Sequence, residues 1–265
     1  MPVLRCHDPE RLERLLRRHE ASHVYAIADL DPHYFELSRW WILQRGGRDV
    51  AAAFVIDDFD PPLLSVLDPT GDGHDRELLD AIDDDLPDQM FVNLMPGGPE
   101  HLAGRFWFDD DGPYDKFAVP LGELDLTTTS QSADVRPIGL DDLDAIFDLQ
   151  AATPDSGRVF VPEMMGDDTY VGVWERDELV AMAGTHVMSD HRRVAAIGNV
   201  ITRADHRRRG LGAECTVAVL RRLEGRVDLV GLNCALANPG ARRIYERLGF
   251  RPVLGYVEGT LHRRG

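Results

Sequence analysis

The stretch RRRGLG at residues 207 to 212 has the composition of an anion-binding turn. It stands between an apolar strand predicted to end near Thr202 and an apolar-periodic helix predicted to run to about Glu224. Gly210 and Gly212 let backbone amides approach a ligand closely, and the positive end of the helix dipole points the same way. The sequence therefore predicts a cradle for phosphate groups. An arginine-rich surface turn before an ordinary helix is the alternative.

A second group of chemically capable residues follows one strand later, in NPGARRIYERLGF. Ala241, Ile244, Tyr245 and Leu248 recur on one face of the helix that this segment predicts. Asn238 stands before that helix, where an amide side chain can cap it. The phenol of Tyr245 could donate a proton, since tyrosine has an unperturbed pKa of about 10, or its ring could simply pack in the core.

Together the two segments resemble the GNAT acetyltransferase superfamily over roughly residues 133 to 265. Its pyrophosphate motif is matched by Arg207, Gly210 and Gly212. Its later signature is matched by Asn238, Ala241, Tyr245, Gly249 and Phe250. AGTHV, IGNVIT and YVEGTL also resemble a two-lobed subgroup whose first lobe is a degenerate copy of the second. Residues 1 to 120 contain no RxxGxG-type turn, so that part of the resemblance concerns shape only.

The resemblance implies direct transfer of an acetyl group from acetyl-CoA to an amine of a small molecule or peptide. The strand around Val200 and Thr202 would splay from the strand around Leu232 and admit the pantetheine arm, and Tyr245 would protonate the leaving thiolate. A non-catalytic module that only senses acyl-CoA is the alternative. The implied donor-binding residues are Val200, Ile201, Thr202, Arg207, Arg208, Arg209, Gly210, Leu211, Gly212, Ala213 and Asn238.

The acceptor side of the reaction has weaker candidates. Glu163 lies in FVPEMMGDD, a stretch that borders the acceptor site in enzymes of this family, and it is the candidate general base. The alternative is that Glu163 is an ordinary solvated glutamate on the surface. His186 and Asn199 lie on strands that lead toward the same opening and could contact the acceptor, although a core histidine is the more common outcome. A covalent acyl-Cys234 intermediate is disfavoured because no histidine accompanies this cysteine in the sequence.

The elements that must position these residues alternate along both halves of the chain. Short apolar runs separated by turns predict strands, and one clear hairpin turns at Arg176, Asp177 and Glu178. Leucines spaced three or four apart after Asp8 predict the first helix, with Pro9 at its first position. The expected fold is α/β with a mixed, mostly antiparallel sheet flanked by helices, preceded by a second, smaller lobe of the same kind.

The domain boundary is predicted in LGELDLTTTSQS, which is rich in hydroxyl side chains and lacks apolar periodicity. We therefore expect a first lobe over residues 1–125 and a second over residues 133–265, with the acceptor pocket at or near their junction. Final strands are predicted in the tail FRPVLGYVEGTL, and separate strands in FWF and YDKFAV.

Composition limits the classes of partner. The net charge of −17 disfavours DNA binding through the arginine-rich turn, because nucleic acids require a broad basic face. No apolar run approaches the roughly 20 residues that span a bilayer, so we expect a cytoplasmic protein.

The three cysteines form no disulfide or zinc pattern, and we expect no metal. A homodimer is one candidate assembly. Lys116 is the only lysine among 29 basic residues, which fits either a salt-rich cytosol or a GC-rich genome.

Overall fold

The fold is described from a computed structural model that covers residues 2–68, 71–127, 134–153 and 160–265. The first part of the chain contains β1 (Val3–Cys6), α1 (Pro9–Leu16), α2 (Val24–Ala28), α3 (Pro32–Glu36), β2 (Ser38–Arg45), β3 (Arg48–Ile56), β4 (Leu63–Leu67), α4 (His74–Ala81), β5 (Gln89–Leu94), α5 (Gly98–Leu102) and β6 (Phe106–Pro120). The second part contains β7 (Val135–Pro137), α6 (Leu143–Ala151), β8 (Val171–Glu175), β9 (Glu178–Ser189), β10 (Val194–Thr202), α7 (Leu211–Leu223), β11 (Leu229–Ala235), α8 (Pro239–Leu248) and β12 (Arg251–Arg263).

The order of elements repeats between the two parts of the chain. In each part a short strand precedes three antiparallel strands, β2 to β4 or β8 to β10, with α1, α2 and α3 between them in the first part and α6 in the second. A helix then leads to a strand parallel to the third one, which pairs β4 with β5 and β10 with β11. One more helix and a long strand close each series. This repeated order supports the interpretation of one half as a copy of the other.

The backbone nevertheless forms two compact units that interleave along the chain. Unit 1 comprises Met1–Phe117, Cys234–Pro239 and Pro252–Gly265, and unit 2 comprises Ala118–Asn233 and Gly240–Arg251. The predicted lobe boundaries at residues 125 and 133 stay a prediction.

Unit 1 packs helices against a mostly antiparallel sheet. Asp8 caps α1 by accepting a hydrogen bond from the Arg11 amide at 3.0 Å, and the predicted leucine face of α1 is buried. β12 pairs antiparallel with β5, so the C-terminal strand belongs to this sheet. Its Leu261 is fully buried in a core that also contains Trp41, Leu78 and Phe106.

Unit 2 is built around the hairpin of β8 and β9. Arg176 and Asp177 both have positive φ, at 49° and 68°, which is the geometry of a two-residue hairpin turn. The core beneath this hairpin contains Ile146, Tyr170, Met182 and Ile201. The predicted hairpin, the helix after the arginine-rich turn and the mixed, mostly antiparallel class of the fold are confirmed.

Several element predictions were wrong or incomplete. FWF and YDKFAV lie in the single strand β6, and the C-terminal tail forms the single strand β12 instead of two. β1, α2, α3 and α5 were not predicted, because each is only four or five residues long and has too few positions to show a period. The predicted linker begins with a short 3₁₀ turn at Leu121–Glu123, and its residues 128–132 lie outside the described part of the chain.

Candidate active site

The arginine-rich turn enters α7 through a glycine in the left-handed conformation. Gly210 occupies the N-cap of α7 with φ of 87°, and no side chain caps the first turn of this helix in the described structure. Arg208 is also left-handed, with φ of 64°. Left-handed residues in such a turn orient successive backbone N–H groups toward one side, which favours anion binding.

Gly212 brings the first turn of α7 close to the end of β10. A Cβ atom at this position would lie 3.3 Å from Thr202 Oγ1 and 3.6 Å from Val200 Cγ1. Both neighbours are among the predicted donor-binding residues, so the structure brings the strand end and the turn together. Leu211 and Ala213 face inward and are buried, which anchors the start of α7 in the core of unit 2.

The side chains of the turn are held by carboxylates at the end of the β8–β9 hairpin. Arg209 Nη2 donates to Glu175 Oε1 at 2.5 Å, and Arg203 pairs with Glu178 and with Asp205. These ion pairs are too exposed to add much stability, but they fix the base of the turn. Arg209 is thereby drawn toward the hairpin, although the sequence placed it among the phosphate ligands.

The other two arginines of the turn differ in their contacts. Arg207 Nε donates to the Thr202 carbonyl oxygen at 3.2 Å, which links the turn to the strand end. The Arg208 side chain is exposed and makes no hydrogen bond or ion pair with any described residue.

A β-bulge interrupts β10 at the point where the family resemblance implies that the strand splays from its neighbour. The register of β10 against β9 shifts between Gly198 and Ile201, and Asn199 within the bulge has φ of 51°. The parallel register with β11 pairs Val194–Ile197 with Leu229–Leu232, and residues 198–202 lie beyond this paired stretch. Asn199 and Val200 therefore lie in irregular backbone, where an amide can be aimed at a ligand.

Both predicted acceptor residues belong to one polar network beside this bulge. Asn199 Nδ2 donates to Tyr170 Oη at 2.8 Å, and Tyr170 Oη donates to the Thr185 carbonyl oxygen at 3.0 Å. His186 hydrogen bonds to the Asn199 side chain, and its ring lies directly over Gly198, where no Cβ could fit. Burial lowers the pKa of His186 to about 4, so its imidazole is neutral near pH 7.

The other predicted site residues lie elsewhere in the two units. Tyr245 is buried in α8, and its ring packs edge-to-face against Phe250 with centroids 6.1 Å apart. Glu163 is exposed on the 3₁₀ turn Pro162–Asp167. Asn238 is an exposed residue of unit 1 whose backbone N–H donates to the Ala235 carbonyl oxygen at 3.0 Å. Buried Cys234 has its Sγ 3.7 Å from the same oxygen.

The repeated element order gives unit 1 a turn comparable to the arginine-rich one, between β4 and α4. Gly73 caps α4 in the left-handed conformation, with φ of 81°. In the described part of this turn the Asp68 carboxylate accepts hydrogen bonds from the amides of Gly71 and His74, at 3.1 and 2.9 Å. A carboxylate of the chain itself thus accepts the hydrogen bonds of two amides in this turn.

Sequence reasoning missed Tyr170 and Glu175. Tyr170 is fully buried against Gly184, where a Cβ would lie 2.4 Å from its ring, and the G-T-H spacing in AGTHV gives no direct sign of that partner. Glu175 had an available signal, since it flanks the hairpin turn opposite three arginines, and opposite charges at adjacent loops favour pairing.

The described ranges contain neither a metal-binding cluster nor a helix suited to cross a membrane. No group of three or more histidine, cysteine, aspartate or glutamate side chains there is arranged to hold a metal ion. Nor does any described helix have the length and apolar character needed to cross a membrane.

Comparison with known proteins agrees with the geometry of unit 2. Residues 142–250 match the model of the acetyltransferase (GNAT) family. A GCN5-related N-acetyltransferase from Sphaerobacter thermophilus is similar over 99% of this chain and 96% of its own, with 17% identity and a TM-score of 0.60. No curated protein is significantly similar in sequence.

Two other solved structures extend the similarity along the whole chain. A tandem GNAT protein from the clavulanic acid biosynthesis pathway shares 16% identity over 100% of this chain and 98% of its own, with a TM-score of 0.54. A Drosophila melanogaster protein shares 13% identity over 98% of both chains, with a TM-score of 0.72. At these identities the similarity concerns the fold, and the tandem protein fits the two-lobed architecture. The family match lies at residues 142–250, and it is this part of the chain that is similar to GNAT acetyltransferases.

Proposed function

We propose that the protein is an N-acetyltransferase that moves an acetyl group from acetyl-CoA directly to an amine of a small molecule or peptide in the cytoplasm. The observation that carries the proposal is the uncapped first turn of α7 behind left-handed Gly210, in a domain whose family is built around an acyl-CoA donor. An uncapped helix start offers unpaired N–H groups and a positive dipole to the pyrophosphate.

In this proposal the pyrophosphate lies on the backbone amides of residues 208 to 213, with the exposed Arg208 as a charged partner. The pantetheine arm follows β10 past Val200 and Thr202, where the paired register with β11 has ended. An amide of the bulge polarises the thioester carbonyl.

The chemical step joins the acceptor nitrogen to the acetyl carbonyl carbon and breaks the carbon–sulfur bond. The acceptor must attack as a neutral amine, and its proton passes through water to a base, for which Glu163 is the candidate. The electron pair of the broken bond leaves on the coenzyme A sulfur, and Tyr245 protonates this thiolate. The products are an N-acetyl amine and free coenzyme A.

The neutral His186 and its partner Asn199 suit the acceptor side of this scheme. An imidazole with a pKa of about 4 carries no charge near pH 7, so it does not repel a protonated amine that enters the site. Its hydrogen bond to Asn199, which in turn donates to Tyr170, fixes the orientation of the ring. We propose that this network orients the acceptor.

The donor site is tested by replacing Gly210 with valine. A β-branched side chain is strained at φ of 87° and disrupts the amide cradle, so the Kd for acetyl-CoA should rise at least about tenfold, or about 1.4 kcal/mol. Gly225→Val is the matched control. Gly225 is also left-handed, with φ of 78° and open space around it, and lies after α7. Calorimetric titration should show weakened binding only for Gly210→Val; equal affinities in both folded variants would exclude the turn as the phosphate site.

The reaction is tested by thiol release. Acetyl-CoA is incubated with the protein and with amino acids, polyamines, aminoglycosides or peptides with free N-termini, at low and high salt. We expect one class to release free thiol with N-acetylation of the amine, confirmed by mass spectrometry. Tight acetyl-CoA binding without release by any class would instead support the non-catalytic sensor.

A further inference from the structure

A group of polar side chains in unit 1 combines the chain's single lysine with two carboxylates. The Lys116 cluster consists of Asp29, Tyr114, Lys116, Tyr256 and Glu258. Asp29 ends α2, whereas Tyr114 and Lys116 share one face of β6, and Tyr256 and Glu258 share one face of the neighbouring β12. Every other basic residue of the sequence is arginine. A compact ammonium group with three donors is therefore found only here.

On one side of the Lys116 cluster, the two tyrosines and Glu258 satisfy one another's hydrogen bonds. Tyr256 Oη donates to Glu258 Oε1 at 2.6 Å, and Tyr114 also hydrogen bonds to Glu258. The rings of Tyr114 and Tyr256 have centroids 5.7 Å apart, and Lys116 Nζ lies 5.4 Å from the centroid of the Tyr256 ring. The tyrosines therefore form an aromatic wall beside the ammonium group.

The other side of the cluster is not satisfied by the protein. Asp29 is only 9% exposed, and its carboxylate makes no hydrogen bond or ion pair with any residue that the structure describes. Lys116 Nζ donates one long bond, of 3.4 Å, to the Ser22 carbonyl oxygen, and no described carboxylate lies within 4.0 Å of it. The two opposite charges interact electrostatically without touching.

The titration behaviour agrees with this geometry. Burial raises the pKa of Asp29 to about 7, although the charge of Lys116 opposes the shift. Burial likewise lowers the pKa of Lys116 to about 8, although both carboxylates oppose it. Removing a charged group from water without full hydrogen bonding destabilises a fold, and an amide or an apolar side chain would avoid this loss. A ligand that completes the cluster would supply the missing partners.

We propose that the Lys116 cluster binds a small zwitterion of the amino-acid class, whose ammonium group meets Asp29 and whose carboxylate meets Lys116. A simple amine would leave Lys116 without an acceptor. A simple acid would bring a further negative charge to Asp29 and Glu258. A molecule that carries both groups satisfies both sides and leaves the net charge of the cluster unchanged. The site is carried entirely by unit 1 and does not depend on the proposed transfer reaction.

The proposal is tested first by calorimetry on the full-length protein. Glycine, β-alanine and 4-aminobutanoate vary the separation of the two charges, and methylamine and acetate supply each charge alone. We expect one zwitterion to bind at least tenfold more tightly than either single-charge probe. Asp29→Asn and Lys116→Met should each weaken that binding tenfold or more, whereas Arg48→Met, which removes an exposed positive charge, should not. Equal binding of the single-charge probes, or no zwitterion binding, overturns the proposal and leaves water as the partner of both groups.

A second measurement needs no variant. Because Lys116 is the only lysine, labelling with ¹⁵N-lysine gives one side-chain amine signal from the native protein. A bound carboxylate stabilises the ammonium form, so the zwitterion should move this signal and raise the pKa of Lys116 from about 8 toward its ordinary value. A signal and pKa that stay constant at saturating zwitterion would exclude Lys116 as the carboxylate partner.

Discussion

Tyr245 has two candidate roles, packing of its ring in the core and proton donation by its hydroxyl group, and only the second role needs the hydroxyl. Tyr245 is only 6% exposed and its ring packs on Phe250, so the aromatic part belongs to the core whatever the chemistry. Tyr245→Phe keeps that packing. If the phenol protonates the departing thiolate, kcat should fall by about 10² to 10⁴, which is about 3 to 5 kcal/mol of barrier, while the affinity for acetyl-CoA stays constant. Pre-steady-state thiol release gives the rate; a variant with parental turnover would leave water as the proton donor.

Asp29 offers a residue-scale prediction about stability. Its native pKa of about 7 lies above its ordinary 3.8, so the native state holds more protons than the unfolded state between these values. The free energy of unfolding therefore loses this contribution as pH rises through the window. Asparagine does not titrate, so Asp29→Asn should become more stable than the parent by several kcal/mol above pH 7, at about 1.4 kcal/mol per pKa unit, and lose this advantage near pH 4.

Urea unfolding of Asp29→Asn and the parent at pH 4 and pH 8 measures this difference. Neighbouring groups also titrate: burial lowers the pKa of His23 to about 4, which gives the opposite slope between about pH 4 and 6.5. The charge of Lys116 lowers the pKa of both Asp29 and His23, and the charge of Asp31 raises the pKa of Asp29. The comparison is therefore between variant and parent at each pH, since these groups are common to both. A pH-independent difference would contradict the raised pKa of Asp29.

At the scale of elements, the helices α4 and α7 both begin at a left-handed glycine. Gly73 and Gly210 are left-handed N-caps of α4 and α7, and the turn before α4 is filled by a carboxylate of the chain, that of Asp68. We predict that acetyl-CoA binds once per chain and that Gly73→Val, with backbone strain like that of Gly210→Val, leaves the affinity unchanged. Titration calorimetry measures both quantities. A stoichiometry of two, or weakened binding by Gly73→Val, would place a donor in unit 1.

The sequence predicted well the elements that carry their own periodic signal. The turn before α7, the helix itself and the β8–β9 hairpin each depend on local glycines, charges or apolar spacing. The bulge at Asn199 was not predicted, because its positive φ is set by the strands on either side and by the bond to Tyr170. The sequence also did not predict that the Asp68 carboxylate accepts hydrogen bonds from the turn before α4, because these bonds form only when the turn folds back on Asp68. The Lys116 cluster was missed for a similar reason, since its members lie up to 229 positions apart between Asp29 and Glu258.

For the whole molecule, the interleaved path of the chain is the feature least accessible to sequence reasoning. Each part of the chain has a complete series of elements, yet the last strand, β12, pairs with β5 of the first series. Apolar alternation indicates that a strand exists but does not specify which edge it joins. The chain therefore has a repeat that is visible in its element order, and units that do not coincide with the two halves of the sequence.

This path predicts how fragments behave. A fragment of residues 1–125 lacks β12, so it exposes the edge of β5 and loses the buried side chain of Leu261 from its core. Exposed strand edges promote aggregation, and loss of a buried leucine side chain alone costs about 2 to 5 kcal/mol. We expect this fragment to aggregate alone and to fold when a flexible linker joins it to residues 251–265. Gel filtration and near-ultraviolet circular dichroism distinguish the states. Cooperative unfolding of a monomeric 1–125 fragment would show that unit 1 is stable without its last strand, and that β12 contributes less than its pairing and burial imply.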